Sequence, residues 1–385
     1  MMSSKSIVIG NKTLATYTQG GGHWSVFIQY LFGLKSLGHR VMLLELLWST
    51  DNKLKDEETI KLFFDRLNEY GLKDNSILLV FKKGCEEQSL ESAIAYGRPM
   101  NEVKEIIKDS DLLWNFCASF RQPLLGMFRH AVLIDLDPGH LQITAFPKMQ
   151  IHDHHSHLTV GGKMNDPDCE VPALGIKWTT FRPFVFLPLW KTSAIQNQLS
   201  PFTSITHWNW EELQWGDRFI SASKRDAYLR YIDLPEFVDR PIELATYLEP
   251  DDNTGDRQLL LSKRWNLVDP WVVAKTPKDY QLYIQNSRGE ISCPKPVFRE
   301  LKTGWFSDRS VCYLASGRPV LAEDTGFSDL FPLGKGLLTF HNMEEAIAGL
   351  KEIDNSYKNH SKAAREIAEE FFDSDRCLNE MLEAS

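Results

Sequence analysis

Residues 303–328, TGWFSDRSVCYLASGRPVLAEDTGFS, crowd hydroxyls, carboxylates and a guanidinium into a stretch where a loop should turn into a helix. Ser307 and Asp308 are good capping types, and Val311, Tyr313, Leu314 and Ala315 behind them supply one buried side. A helix is therefore predicted to start near Ser307, with unpaired N–H groups and a partial positive charge in its first turn. With Arg309 in that turn and the hydroxyls of Ser307 and Ser310 beside it, the chemistry is that of a phosphate seat. Gly317 stops the helix and residues 319–322 make a short apolar strand. Glu323, Asp324, Thr325 and Gly326 then stand at the strand's carboxyl end, where acids would meet sugar hydroxyls or a ribose.

Other groups point to the same chemistry. Gly20, Gly21 and Gly22 precede His23 at the start of a helical pattern, so the backbone could approach a ligand there while His23 stands at the mouth of a cleft. The spacing is not GxGxxG, which argues against a dinucleotide fingerprint. Lys263 and Arg264 follow residues 258–261 (QLLL), expected as a strand, and could hold a diphosphate or form a solvated basic loop. Lys295 follows the short run ISC and points toward the same cleft. Asp135 and Asp137, with Pro138-Gly139, lie at another strand's end and read equally as a turn or as acids facing the cleft. His152, Asp153, His154, His155 and His157 match no closed metal-site spacing, and a polar segment facing the cleft, with His155 on it, is the preferred reading.

The elements that must position these groups follow a βα rhythm. Residues 6–10 are a buried strand, 24–37 a helix ending at Gly38, and 41–47 a second strand. Helices are expected over 56–70 and 101–109, and strands over 76–81, 111–116 and 131–136. A Pro- and Trp-containing connection over 172–199 leads to a second βα set that opens with 202–208. The fold class is α/β: an N-terminal Rossmann-like domain over 1–195, a C-terminal one over 200–360, and a helical end over 361–385 that packs back on the first. The two are expected to face each other across a cleft and to hinge near 190–205.

The chain has 385 residues, enough for two cores, and its composition of 43% hydrophobic and 25% charged residues is that of a globular protein. A formal charge of −9 argues against a broad nucleic-acid or anionic-membrane surface. No apolar run reaches membrane-spanning length and the start lacks a signal-peptide pattern, so a cytoplasmic protein is expected. Six scattered cysteines without CxxC spacing read as reduced thiols.

LASGRPVLAEDTGF, GLLTF, MEEAIAGLKEI and AAREIAEEFFD resemble the group-1 glycosyltransferases, particularly their CgeB-like branch, and GGGHWSVFIQYLFGLKSLGHRVMLLE resembles the opening βαβ unit of the same enzymes. The resemblance implies the GT-B architecture, with the first domain on the acceptor side and the second holding a UDP- or GDP-linked sugar donor. It implies metal-independent transfer without a cofactor. Mapped onto this chain, His23 matches a position where some of these enzymes carry a catalytic base and others a donor-contacting group. The base is the preferred reading, because an imidazole is expected to titrate near neutrality. Donor contacts would come from Gly21, Gly22, Lys263, Arg264, Lys295, Ser307, Asp308, Arg309, Ser310, Glu323, Asp324, Thr325 and Gly326. Asp135, Asp137 and His155 would lie on the acceptor side. Where the group-1 pattern places two glutamates, this chain has Gly304 and Cys312, so Asp308, Glu323 or Asp324 would have to substitute. The departure keeps open a non-catalytic GT-B-like binding protein. A DNA-modifying glucosyltransferase and a nucleotide-sugar epimerase share the architecture.

Overall fold

The computed structural model describes residues 3–145, 149–193, 197, 199–249 and 254–385. In the first half the strands are β1 (Ser6–Asn11), β2 (Arg40–Trp48), β3 (Ser76–Phe81), β4 (Ala93–Tyr96), β5 (Leu112–Phe116), β6 (Ala131–Asp135), β7 (Ser156–Thr159) and β8 (Thr179–Thr180). Among the described residues they form one eight-stranded sheet in the order β4-β3-β2-β1-β5-β6-β7-β8, parallel except for β4. The inner strands are buried on both faces, as runs such as SIVIGN and SILLVF require once helices cover them. The covering helices are α1 (Gly21–Ser36), α2 (Lys53–Glu69), α3 (Met100–Asp109) and the short α4 (His140–Ala145).

The second half opens with β9 (Phe202–Thr206) and a hairpin of β10 (Glu212–Trp215) and β11 (Arg218–Ser221). Then come α5 (Lys224–Leu229), β12 (Ile242–Thr246), α6 (Asp256–Ser262), β13 (Asn266–Val268), α7 (Pro270–Val273), α8 (Pro277–Asn286), β14 (Gly289–Ser292), α9 (Pro296–Glu300), α10 (Asp308–Ala315), β15 (Val320–Glu323), β16 (Leu337–Phe340) and α11 (Met343–Asn355). The sheet order β13-β12-β9-β14-β15-β16, all parallel, reverses direction between β9 and β14. The first sheet reverses in the same way between β1 and β5. Such switch points leave a crevice beyond the strands' carboxyl ends.

Residues 258–261, expected as a strand, lie inside α6. A short leucine run does not distinguish the two periods. Here Leu260 is buried while Leu259 and Leu261 are exposed, and Asp256 one turn before Leu260 is held by Arg225 and Trp208, so one helical face decides the outcome. The edge strand β4 and the β10–β11 hairpin were not anticipated; both are short and only partly buried.

The chain ends in α12 (Tyr357–Phe371), which lies against α10, and α13 (Ser374–Glu383), which lies against α1. Cys377, Leu378, Met381 and Leu382 of α13 belong to the core of the first half. The turn between the two helices is tied to the connecting segment, with Val185 N–H donating to Phe372 O at 2.8 Å and Ser374 N–H to Val185 O at 3.1 Å. Part of the expected domain boundary, residues 194–196 and 198, lies outside the described residues.

The two halves are packed together. One apolar cluster draws on both, with Leu133, Ile151, Met164 and Trp178 from the first and Leu213, Ile220, Val297 and Leu301 from the second. Around it run ion pairs across the interface: Lys295–Asp137 at 2.6 Å, Lys163–Asp329 at 2.6 Å and Arg218–Glu170 at 2.5 Å. Gly304 sits where a side chain could not, at φ +68°, and a Cβ there would meet Lys163 N at 2.7 Å. Among the described residues no helix is long and apolar enough to cross a membrane, and all six cysteines are free thiols.

The α13 contact carries a stability prediction. Leu378 is fully buried in the first half's core, against Gly33 of α1. Leu378→Ala should destabilise the fold by about 2–5 kcal/mol, read as a lower urea midpoint. A loss below about 1 kcal/mol, the scale of a surface change, would show that α13 is not part of that core.

Candidate active site

The helix expected at Ser307 is α10, capped as the sequence suggests: Ser307 Oγ accepts from Arg309 N–H at 3.2 Å. Arg309 itself does not point outward. Its Nε donates to Glu290 Oε1 at 2.5 Å, Nη1 to Ile205 O at 2.7 Å and Nη2 to Ser292 Oγ at 3.0 Å. The guanidinium therefore ties β9, β14 and α10 together at the switch point, and the expectation of a direct phosphate ligand is corrected. The reason is Glu290: a fully buried carboxylate on the central strand needs a counter-ion, and the second helical residue is within reach. Ser310 Oγ, also buried, has no hydrogen-bond partner among the described residues and lines a small pocket with Ser292, Pro294, Glu323 and Thr325. Asp308 opens onto the interdomain cavity while protein surrounds it, and burial raises its pKa against the pull of Arg309.

Several proposed donor contacts are already engaged. Glu323 accepts from Arg230 Nη2 at 2.7 and 2.8 Å and from Tyr231 OH at 3.0 Å. Asp324 folds its own turn, accepting from Gly326 N–H at 2.9 Å and Ser328 Oγ at 2.7 Å, and Thr325 Oγ1 donates to Trp305 O at 2.6 Å. Gly326, at φ +99°, makes room for the Lys163 side chain. Lys263 pairs with Asp233 at 2.6 Å and Glu236 at 3.6 Å. Lys263 and Arg264 follow α6 and precede β13, which puts them at the sheet's amino edge, away from the crevice. Gly21 and Gly22 face the other half: Gly21 N–H donates to Ala274 O at 3.0 Å, and a Cβ on Gly22 would meet the Tyr280 ring at 2.9 Å. These glycines allow the halves to approach each other.

The acidic and histidine candidates also separate. Asp137 holds Lys295 at 2.6 Å across the interface, so Lys295 too is paired, although it remains at the cleft. Asp135 is buried, accepting from Gln142 Nε2 and Thr159 Oγ1 at 2.8 Å each, and burial pushes its pKa up to about 6. His155 accepts from Ala131 N–H at 3.0 Å at the start of β6, the sheet's amino edge, and so is not on the acceptor side of the cleft. His154 and His157 both donate to Ile151 O. Among the described residues no cluster of His, Cys, Asp or Glu could hold a metal ion.

His23 is where the sequence put it, at the crevice. It lines a cavity of about 130 Å³ between the halves, with Phe27, Tyr30 and Phe184 on its side and Trp305, Phe306 and Asp308 opposite. One nitrogen, Nε2, lies 2.6 Å from Thr13 Oγ1, and that hydroxyl donates to Asn11 Oδ1 at 3.1 Å. A hydroxyl has one proton; with it on Asn11, Nε2 must carry the hydrogen, and Nδ1 is left with the lone pair. Burial, then His207, pushes the His23 pKa down to about 4, which corrects the expectation of a value near neutrality. The imidazole is neutral at pH 7 and able to accept a proton.

Two residues that sequence reasoning missed stand across from it. Lys224 begins α5, half-buried, its ammonium 5.9 Å from the Trp305 ring, and no described residue bonds it. Burial and then Arg309 push its pKa down to about 7. His207 follows β9, and burial, Lys224 and Lys295 lower its pKa. The missed signal was Lys224 in a helix's first turn, where the helix dipole disfavours a cation.

Two measurements check this geometry. Arg309→Ala should cost about 3–5 kcal/mol of stability, the scale for stranding one partner of a buried pair; a variant as stable as the parent would return Arg309 to the surface. By proton NMR, His23 should titrate near 4. Its folded pKa lies below the unfolded value of about 6.5. His23 should thus leave stability intact above 6.5 and erode it as pH falls toward 4, and His23→Gln should flatten that slope. A titration midpoint near 6.5 would contradict the buried setting.

No family model matches the chain, and no curated protein matches its sequence. Solved structures do match its fold over the whole length. An alpha-glucosyltransferase in complex with UDP-glucose and DNA containing an abasic site matches with a TM-score of 0.63 at 11% identity, covering 99% of each chain. HepE of Anabaena in complex with UDP and glucose matches at 0.56 and 13%, covering 99% of this chain and 100% of the other. A glycosyltransferase from Rickettsia africae matches at 0.54 and 12%, covering 99% of this chain and 98% of the other. What the chain shares with these proteins is the GT-B fold, two Rossmann-like sheets whose carboxyl edges meet at one cleft.

Proposed function

We propose that the protein is a glycosyltransferase that moves a sugar from a nucleoside diphosphate sugar to an acceptor held by its N-terminal half. The observation that carries this reading is the ammonium of Lys224, half-buried beside His207 at the C-terminal switch point and, among the described residues, neither hydrogen-bonded nor ion-paired. A lysine whose charged form is disfavoured by burial and by the neighbouring cations Arg309 and Lys295 favours an anion beside it. A diphosphate fits, with the N–H groups of α10 and Ser310 Oγ as further donors. The alpha-glucosyltransferase and HepE structures were solved with UDP-glucose and with UDP and glucose. The resemblance to the CgeB-like branch supports the same class.

In this reading little covalent chemistry falls to the protein. As the bond from the anomeric carbon to the diphosphate breaks, negative charge grows on the leaving oxygens, and Lys224, His207 and the α10 N–H groups stabilise it. No metal is needed where these donors suffice. Asp308, facing the cavity from the first residue of α10, is placed to accept from sugar hydroxyls, the role left open by Gly304 and Cys312. His23 Nδ1 takes the acceptor's proton, and the donor's negative charge would raise its pKa from about 4 toward a more useful range.

The DNA in the alpha-glucosyltransferase complex suggests a second acceptor class. The net charge of −9 disfavours it, and binding to duplex DNA that weakens steeply with salt would be needed to support it.

The sign of the Lys224 shift provides the test. A group with its pKa lowered to about 7 becomes fully protonated when an anion arrives. Calorimetry of UDP binding at pH 7 to 7.5, in buffers of different ionisation enthalpy, should therefore show proton uptake. Lys224→Ala should abolish the uptake and weaken binding by about 1.5–3 kcal/mol. UDP binding with neither uptake nor sensitivity to Lys224 would move the donor seat elsewhere. Hydrolysis or transfer from a UDP- or GDP-sugar panel separates the enzyme from a binding protein, and product analysis with donor alone separates it from an epimerase.

A further inference from the structure

The N-terminal sheet has a switch point of its own, between β1 and β5. The pairing of Gly10 with Asn115 continues off the strand ends, so that Lys12 and Cys117 are the opposed positions just beyond them. The backbone there is held in a conformation that side chains disfavour: Cys117 and Ala118 are consecutive left-handed residues, at φ 48° and 51°. Cys117 N–H donates to Ile134 O at 2.9 Å and Ser119 N–H to Phe116 O at 3.0 Å. The Asn115 side chain bonds both backbone groups of Phe120, at 2.9 and 3.0 Å. These bonds fold the loop so that Arg121, its N–H fixed on Gln88 Oε1 at 2.7 Å, lies close enough for its charge to act on Lys12.

Among the described residues the two cations have no counter-ion. Neither the Lys12 ammonium nor the Arg121 guanidinium bonds or pairs with a described residue, and both are partly buried. The carboxylates nearest Cys117 are taken, Asp135 by Gln142 and Thr159 and Asp137 by Lys295. Burial and the Arg121 charge lower the Lys12 pKa. Lys12 also precedes Thr13, the residue that fixes His23. A loop bound in a disfavoured conformation that brings two unpaired cations to a sheet's switch point is arranged for an anion.

We propose that Lys12 and Arg121 form a subsite for an anionic group, a phosphate or a carboxylate, carried by the acceptor. This rests on the glycosyltransferase reading, which makes the N-terminal half the acceptor side. The guanidinium grips two oxygens of the anion in plane, Lys12 adds a point charge, and the acceptor's nucleophile is left toward His23.

The test is calorimetry on the full chain with inorganic phosphate as the probe and UDP present at saturation, so that the donor seat is filled. Phosphate should still bind, and the double variant Lys12→Gln with Arg121→Gln should weaken it at least tenfold while keeping the parent's melting temperature and UDP affinity. If the double variant does not fold, Arg121→Lys, which keeps the charge and loses the fork, should still weaken phosphate several-fold. Acetate as a second probe tells a carboxylate acceptor from a phosphorylated one. Should UDP not bind at all, the transferase reading fails by itself, and the same phosphate titration on Lys224→Gln protein without UDP still reads the subsite. Phosphate that fails to bind the parent chain, or that binds both variants as well as the parent, overturns the proposal.

Discussion

The pair of Arg309 and Glu290 sets the character of this molecule. A carboxylate on a central strand is affordable in a dry interior only with a cation against it, and the guanidinium that answers it also bonds β9 and β14 through Ile205 O and Ser292 Oγ. Both sides of the C-terminal switch point and the first turn of α10 are thereby locked in one geometry. The pair is also charge-balanced, and among the described residues Lys224 at the same edge has no hydrogen-bonded or ion-paired partner. Burial depresses the pKa values of both Lys224 and His207, with Arg309 and Lys295 adding to the shift of Lys224, and Lys224 and Lys295 to that of His207.

The second constraint is the intimacy of the two halves. The shared apolar cluster, the ion pairs of Lys295 and Lys163, and the glycines that let Gly21 meet Ala274 and Gly304 meet Lys163 hold the crevice narrow. What remains is a cavity of about 130 Å³ walled by aromatic rings, with His23, Tyr30 and Asp308 as its ionisable groups. Electrostatic interactions strengthen where water is scarce. The same scarcity keeps His23 neutral and raises the pKa of Asp308, so burial favours the neutral form on both walls.

The sequence by itself determined the βα rhythm, the capped start of α10 at Ser307 and the place of His23 at a helix entrance, because caps, periodicity and glycine stops are local and act over a few residues. It also showed that the stretch 303–328 holds more polar residues than a capped helix needs. It did not determine which of those residues are free. Arg309, Glu323, Asp324 and Lys295 looked like ligands because their types are right, and each was claimed by a partner far away in the chain: Glu290, Arg230, its own turn and Asp137. Lys224, His207, Lys12 and Arg121 looked ordinary, and only the tertiary structure brought them to two switch points without an ion-pair partner among the described residues. Spacing along a chain reports what a side chain can do, but whether its charge is already spent depends on which strands become neighbours, and that is decided by packing between elements tens to hundreds of residues apart.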